Sequence, residues 1–305
     1  DIYENLKNYS CTTYIRTLID KEYKVKDTDS IKITEKKFER INDNLVEYIA
    51  TTYYKKTGIY KDIISAYKDY TTQRPVNYRY ITVDGFGENV IAPMQLNYEN
   101  PNIFYKNSFS CEFNFYTNLL KFPKLCELPL VSPIASNSEL FYKFEYDNSF
   151  FVDSTKFFRI KVIPLNKMGA LFYGTICIEE KTSALVSVDL SINESVLLTY
   201  ESFNIVQNYL KLNDSVYVPE KTEIKYIVRA DPDKFFGETK IIRKNFIINE
   251  TIDSKIFNNQ VIVYEKDAFD KDSIYWETNR AIKLDVFDKK FINISDSLQA
   301  YYASD

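Results

Sequence analysis

Histidine is absent from all 305 residues of the chain. That removes Ser-His-Asp and Cys-His catalysis, His-ligated zinc and imidazole pH switching. Glycine is scarce, with six residues, which leaves no glycine-rich loop to cradle a phosphate. The four cysteines, at 11, 111, 126 and 177, form no C-x-x-C pair for a metal or redox site. They are expected as buried free thiols; the alternative is a single bridge, for which Cys111–Cys126 closes the shortest loop. No run of eighteen apolar residues occurs, so no membrane-spanning helix is expected. The first residues, Asp1-Ile-Tyr-Glu-Asn5, carry neither a signal peptide nor a lipidation cysteine, so either these have been removed or the chain is an excised piece. Thirty-nine basic against forty-three acidic side chains leave a net charge of −4. There is no basic excess to attract nucleic acid or anionic lipid.

What the chain has in quantity is alternation. In Leu140–Asp147, Tyr142, Phe144 and Tyr146 share one side while Lys143 and Glu145 take the other. In Lys156–Ile163, Phe158, Ile160 and Val162 oppose Arg159 and Lys161; in Ala184–Ile192, Val186, Val188, Leu190 and Ile192 oppose Ser187, Asp189 and Ser191. Thr222–Arg229 and Thr239–Ile248 are rich in β-branched and aromatic residues. A period of two with one apolar face is a half-buried antiparallel strand. The links between these segments hold turn formers, as in Pro164-Leu-Asn-Lys-Met-Gly169 and Ala230-Asp-Pro-Asp-Lys234.

Long strands joined in sequence make a meander that curls. The predicted fold is mostly β: a curved antiparallel half-barrel of roughly nine to eleven strands with a few helices on its concave face. In the N-terminal third, Tyr9–Ile19 reads as a strand, and helix or loop is expected up to Asn44, with a strand after it. Residues 71–140 hold eleven charged side chains in seventy, against 27% for the chain, and six prolines. So apolar a segment is expected to pack as an irregular plug of short helices against the sheet, with Asn114–Leu125 the best helix candidate. Residues 1–260 then form a single β domain, and 261–305 a C-terminal strand and extension.

The remaining constellations are ordinary. Asp27-x-Asp29, Asp231-x-Asp233 and Asp270-x-Asp272 lack the ligand count of a calcium loop and read as solvated turns. Asp84-Gly85-Phe86-Gly87 reads as a turn rather than a nucleotide site. The twenty-six tyrosines could stack sugars, but within alternating strands most are sheet and core residues. Trp276 fits core packing and surface anchoring equally well. Without histidine, metal-ligand spacing or a phosphate loop, only a carboxylate-pair mechanism survives. The protein is therefore expected not to be an enzyme and to need neither cofactor nor metal; the alternative is a glycan-binding or glycan-active β protein using two carboxylates and tyrosines.

An ordered set of stretches carries a resemblance. These are Pro129-Leu-Val-Ser-Pro-Ile-Ala-Ser-Asn137, Phe141-Tyr-Lys-Phe144, Phe158-Arg-Ile-Lys-Val-Ile-Pro164, Leu171-Phe-Tyr-Gly-Thr-Ile-Cys-Ile178, Ala184-Leu-Val-Ser-Val-Asp-Leu190 and Tyr275-Trp-Glu-Thr-Asn-Arg280. Together they resemble the middle region of a Bacteroidota outer-membrane protein family, which lies between a carboxypeptidase-regulatory-like domain and an outer-membrane barrel. The unit around Gly174-Thr-Ile also looks like the sheet of LolA/LolB lipoprotein carriers, where a curved sheet shelters acyl chains. The resemblance implies a periplasmic, outer-membrane-associated protein. Its implied partners are a lipid, a lipoprotein or a barrel in the same or another chain, and no nucleic acid. The groove would be lined by Tyr142, Phe144, Tyr146, Phe158, Ile160, Phe172 and Ile176. Five Asp-Ser-x triplets, starting at 29, 153, 214, 272 and 296, resemble that phylum's O-glycosylation signal and are also plain turn chemistry. The family's prolines and acidic helix after Trp and Arg are replaced here by Ala281 and Lys283.

Overall fold

The structure is a computed structural model that describes residues 6–24, 38–56, 58–71, 79–83, 89–93, 109–213, 216–230 and 233–304. Three long strands open the chain: β1 (Asn8–Lys24), β2 (Phe38–Lys55) and β3 (Ile59–Thr71). Two short pairs follow, β4 (Arg79–Val83) with β5 (Asn89–Pro93) and β6 (Leu119–Leu120) with β7 (Leu130–Val131). A seven-stranded meander comes next: β8 (Tyr142–Val152), β9 (Thr155–Pro164), β10 (Phe172–Glu179), β11 (Leu185–Ile192), β12 (Tyr200–Asn213), β13 (Val216–Ala230) and β14 (Asp233–Ile248). The chain ends in β15 (Ile262–Tyr264), α1 (Ser273–Asn279) and α2 (Val286–Ser304).

Eleven strands form one sheet in the order β15-β3-β2-β1-β14-β13-β12-β11-β10-β9-β8. The two meanders join where β14 returns to β1, from Tyr9 opposite Ile248 to Glu22 opposite Lys234. All pairings but one are antiparallel; β15 runs parallel to β3 over three residues. Both ends of the order are unjoined, so the sheet is an open half-barrel. The strand content and antiparallel meander match the sequence reading.

One face carries the main core. Ile15, Ile19, Tyr48, Ile64, Ile241, Ile224, Ile205, Val188, Ile176 and Val162 are all buried there. Residues 109–141 lie across it as the expected plug, burying Phe113, Phe115, Leu125 and Leu130 against the strands. Phe113 stacks on Phe122 at 4.2 Å, and Phe115 meets Phe172 edge-on at 5.4 Å. The rest of the segment between β3 and the plug was expected to pack likewise; of it, residues 72–78, 84–88 and 94–108 lie outside the described residues.

Two glycines let this face close. At Gly174 (φ +142°) a Cβ would stand 2.1 Å from the Asp189 carbonyl oxygen, and at Gly237 one would strike the Tyr226 ring at 2.0 Å.

The structure corrects the sequence reading locally. Strand β2 begins at Phe38, so the stretch expected as helix or loop up to Asn44 is already paired from Phe38 opposite Lys24. Pairing with β1 overrides the local preference here. Asn114–Leu125 is not helical. The Asn114 side chain accepts from Tyr116 N at 3.1 Å, and its carbonyl accepts from Thr117 Oγ1 at 2.8 Å, which turns the chain at once. Of the helices expected on the core face, single 3-10 turns stand at the two ends of the plug (Phe109–Cys111, Ser138–Leu140). Both α-helices lie on the other face, over β1–β3.

There Trp276 packs on Tyr14, Ile49 and Ala66, and Phe291 on Leu45 and Tyr70. Asp272 caps α1 by accepting from Tyr275 N at 2.8 Å, and Asp285 and Asp288 cap α2 reciprocally. The four cysteines are buried and unbridged, and burial pushes the Cys11 thiol up to about 11.

Candidate functional site

The alternating aromatics of β8 and β9 divide between core and surface. Tyr142, Phe172 and Ile176 are core residues: Tyr142 Oη donates to the Val131 carbonyl at 2.5 Å and accepts from Phe172 N at 3.1 Å, which locks plug to sheet. These three positions, expected to line a groove, are filled by protein. Phe158 and Ile160 are half-buried, Phe144 is 37% exposed and Tyr146 65% exposed. Register puts all four on the core's side of the sheet, since Phe144 faces buried Val162, Tyr146 faces Ile160, and Phe158 lies two residues from Ile160. Ile160 still packs against the core cluster, and exposure rises from there through Phe144 to Tyr146. Phe151, 69% exposed, extends the row past a bulge between Tyr146 and Asn148. Sequence reading missed Phe151 because that bulge shifts the phase of the alternation. The result is a largely aromatic shelf, with Lys156 Nζ 4.7 Å over the Phe158 ring, that continues the core outward along the last two strands.

Charge around the core is tied up in pairs that join distant parts of the chain. Arg243 of β14 donates from Nη2 to Glu112 Oε2 of the plug at 2.7 Å, with both side chains buried. Under the helices, Glu47 accepts from Tyr14 Oη and from Arg280 Nε at 2.9 Å, while Arg280 Nη2 donates to Tyr70 Oη at 2.7 Å. Arg16 pairs with Asp288. Glu179 accepts from Tyr217 Oη and from Lys211 at 3.2 Å, and Asp62 accepts from Thr52 Oγ1 at 2.7 Å. No spacing in the sequence marks these partners. Beside Glu112, six tyrosines, among them Tyr9, Tyr116 and Tyr217, line a cavity with about 20 Å³ for the centre of a water-sized molecule. That holds a water and not a sugar ring. Among the described residues no group of three or more Cys, Asp or Glu is placed to hold a metal ion.

Asp69 on β3 is the exception to this pairing. One of its carboxylate oxygens is buried without a hydrogen-bond partner. Burial, opposed by a hydrogen bond with Asn44, raises the carboxyl to about 6. The folded protein thus holds a proton there that the unfolded chain releases near pH 4. Its contribution is present below about pH 4 and is lost as pH rises through about 6. Asp69→Asn should therefore raise stability by roughly 1–3 kcal/mol at neutral pH and change it little at pH 4. Urea unfolding at both pH values checks this; equal effects at the two would disprove it.

Residues 2–246 match a family of unknown function, DUF5686. The chain belongs to this family. The match runs from the N-terminus into β14 and covers every strand of the shelf. No curated protein matches. Solved structures that are similar include a domain named for outer membrane lipoprotein sorting from Vibrio parahaemolyticus, with 9% identity, 83% of this chain and 89% of the other covered, and a TM-score of 0.30. A LolA superfamily protein from Nitrosomonas europaea has 8% identity, 83% and 91% coverage, and a TM-score of 0.28. A DUF1329 family protein from Desulfovibrio piger has 9% identity, 81% and 90% coverage, and a TM-score of 0.25. Superpositions this loose carry no functional argument.

Proposed function

We propose that this DUF5686 domain is a non-enzymatic binding module that holds an acyl chain, or a lipidated partner, on the apolar shelf of β8 and β9. The observation that carries the reading is the row Phe144, Tyr146, Phe158, Ile160 and Phe151, which lies on the core's own face and grows more exposed outward from Ile160. A surface so continuous with a core is costly to leave in water. Covering it with an acyl chain contributes about 0.8 kcal/mol per buried methylene and needs no charged contact. The absence of a chemical role fits the carboxylates: Glu47, Asp62, Glu112, Glu179 and Asp288 each have a committed partner in the fold. The working place that goes with this reading is the periplasm, next to the outer membrane. The flanking carboxypeptidase-regulatory-like domain and the barrel implied by the sequence resemblance belong to the same proposal. The alternative, a glycan-active protein, gains nothing from the tyrosine-lined cavity, which is too small for a sugar.

Protein purified from a Gram-negative periplasm should carry extractable lipid. Phe144→Asp and Phe158→Asp should each reduce it about tenfold or more, since a carboxylate on the shelf must stay hydrated. Unchanged circular dichroism would show that the sheet survives. Native mass spectra with no bound lipid in the wild type, or equal lipid in both variants, would overturn the reading.

A further inference from the structure

Loop tips are ordinarily built from polar turn formers. One end of this sheet departs from that. Because the strands are antiparallel, the start of β8, the end of β9, the start of β10, the end of β11 and the start of β12 come together there. Tyr142 stands opposite Pro164, and Phe172 opposite Ile192. The connections at this end, 165–171 and 193–199, meet the outer turns of the plug. Leu165 N–H donates to the Phe141 carbonyl at 2.8 Å, Val131 N–H to the Ala170 carbonyl at 3.1 Å, and Leu198 N–H to the Leu125 carbonyl at 3.0 Å. Buried Asn193 donates from Nδ2 to the Gly169 carbonyl at 2.8 Å, and Ser195 Oγ donates to the Lys167 carbonyl at 3.0 Å, so the tips hold one another in place. On this tied rim Leu119, Leu128, Leu140, Leu165, Met168 and Leu198 are all exposed, from 48% at Leu198 to 73% at Met168.

We infer that this rim docks on a lipid bilayer, its six aliphatic side chains entering the headgroup boundary. The chemistry of the row selects a bilayer over a protein. Hot spots for protein partners are enriched in Trp, Tyr and Arg and poor in Leu. The exposed row here is five leucines and a methionine. These side chains also stand on separate tips, with Asn137, Asn166 and Thr199 exposed among them. A fluid bilayer fills the spaces between such tips, whereas a protein would need a surface fitted to them. Apolar side chains of interfacial segments bury themselves about 5–10 Å deep in the same way. Charge on the tips is balanced, with Lys121, Lys124 and Lys167 against Glu127, Glu139 and Glu194. The attraction is therefore apolar and needs no anionic lipid. Docking goes beyond the acyl-chain reading, because it concerns loop tips and the shelf is a strand face. The shelf begins at Phe144, the third residue of β8, so a docked rim brings its near end to the membrane. Either can fail alone.

Vesicles of phosphatidylcholine and phosphatidylethanolamine, which carry no net charge, test this by co-sedimentation with the 305-residue chain. Wild type should pellet with them, and raising the salt about tenfold should leave the bound fraction nearly unchanged. Leu140→Asp, Leu165→Asp and Met168→Asp should each lower the partition coefficient about tenfold or more, because a carboxylate resists leaving water. All three side chains are exposed, so the fold is not at stake. Phe144→Asp lies off the rim and should leave vesicle binding intact, which separates docking from uptake on the shelf. Met168→Trp should shift its emission to the blue on vesicles. Ile59→Trp should not, since Ile59 is exposed at the opposite end of the sheet, where β2 turns into β3. Trp276, the one native tryptophan, is buried and supplies a constant background. A wild type that stays in the supernatant would overturn the inference and leave the rim to a protein. Pelleting untouched by the three aspartate variants, or equal blue shifts at both ends, would overturn it as well.

Discussion

Arg243→Met should destabilise the protein by about 3–5 kcal/mol, because it strands a buried carboxylate. Arg243 is among the largest fully buried side chains, and Glu112 is its only ion-pair partner among the described residues. The pair ties β14, at the centre of the sheet, to the plug 131 residues earlier in the chain. Without the guanidinium, burial and, to a lesser degree, the charge of Asp62 act on Glu112 and push its carboxyl upward. The variant should then gain stability as pH falls, since its folded state takes up a proton that the unfolded chain releases only at lower pH. Removing both charges is a different experiment. Arg243→Met with Glu112→Leu should recover most of the loss, because an apolar pair of similar volume needs no compensation. Urea unfolding of the two variants checks this. A cost below about 1 kcal/mol for Arg243→Met would mean that water already reaches Glu112.

Trp276→Ala should cost about 3–5 kcal/mol, the range for truncating a fully buried aromatic. Trp276 is 2% exposed and anchors α1 over Tyr14, Ile49 and Ala66. Arg280, one turn on, lies 5.6 Å from its ring and holds buried Glu47. Emptying the Trp276 site therefore also loosens the partner of a buried carboxylate. Trp276→Phe should cost far less, because Trp276 Nε1 makes no hydrogen bond that the ring change would forfeit. Hydrogen exchange should show α1 and α2 opening in the alanine variant while β8–β12 keep their protection. A loss spread evenly over the sheet would instead make Trp276 part of one undivided cooperative core.

Much of this protein is legible in its sequence because strand alternation is local. Tyr142, Phe144 and Tyr146 against Lys143 and Glu145 mark β8 without any knowledge of its neighbours, and the same holds for β9 and β11. The low charge and frequent prolines of residues 71–140 mark a segment that must pack, and 109–141 does so. Tertiary structure decided the rest. Phe38–Asn44 is strand because β1 lies beside it, and Asn114–Leu125 is turn because Asn114 folds back on its own backbone.

Only the fold tells core from shelf. Tyr142 and Tyr146 are four residues apart on one face, yet the plug covers the first and leaves the second open. Arg243 with Glu112 and Arg280 with Glu47 join residues 131 and 233 positions apart, and no local pattern can name such partners. For β9, β11 and β8 up to its bulge, the sequence alone determines which side is apolar, since that follows from a period of two. What meets that side depends on where the chain returns, which is a property of the whole fold.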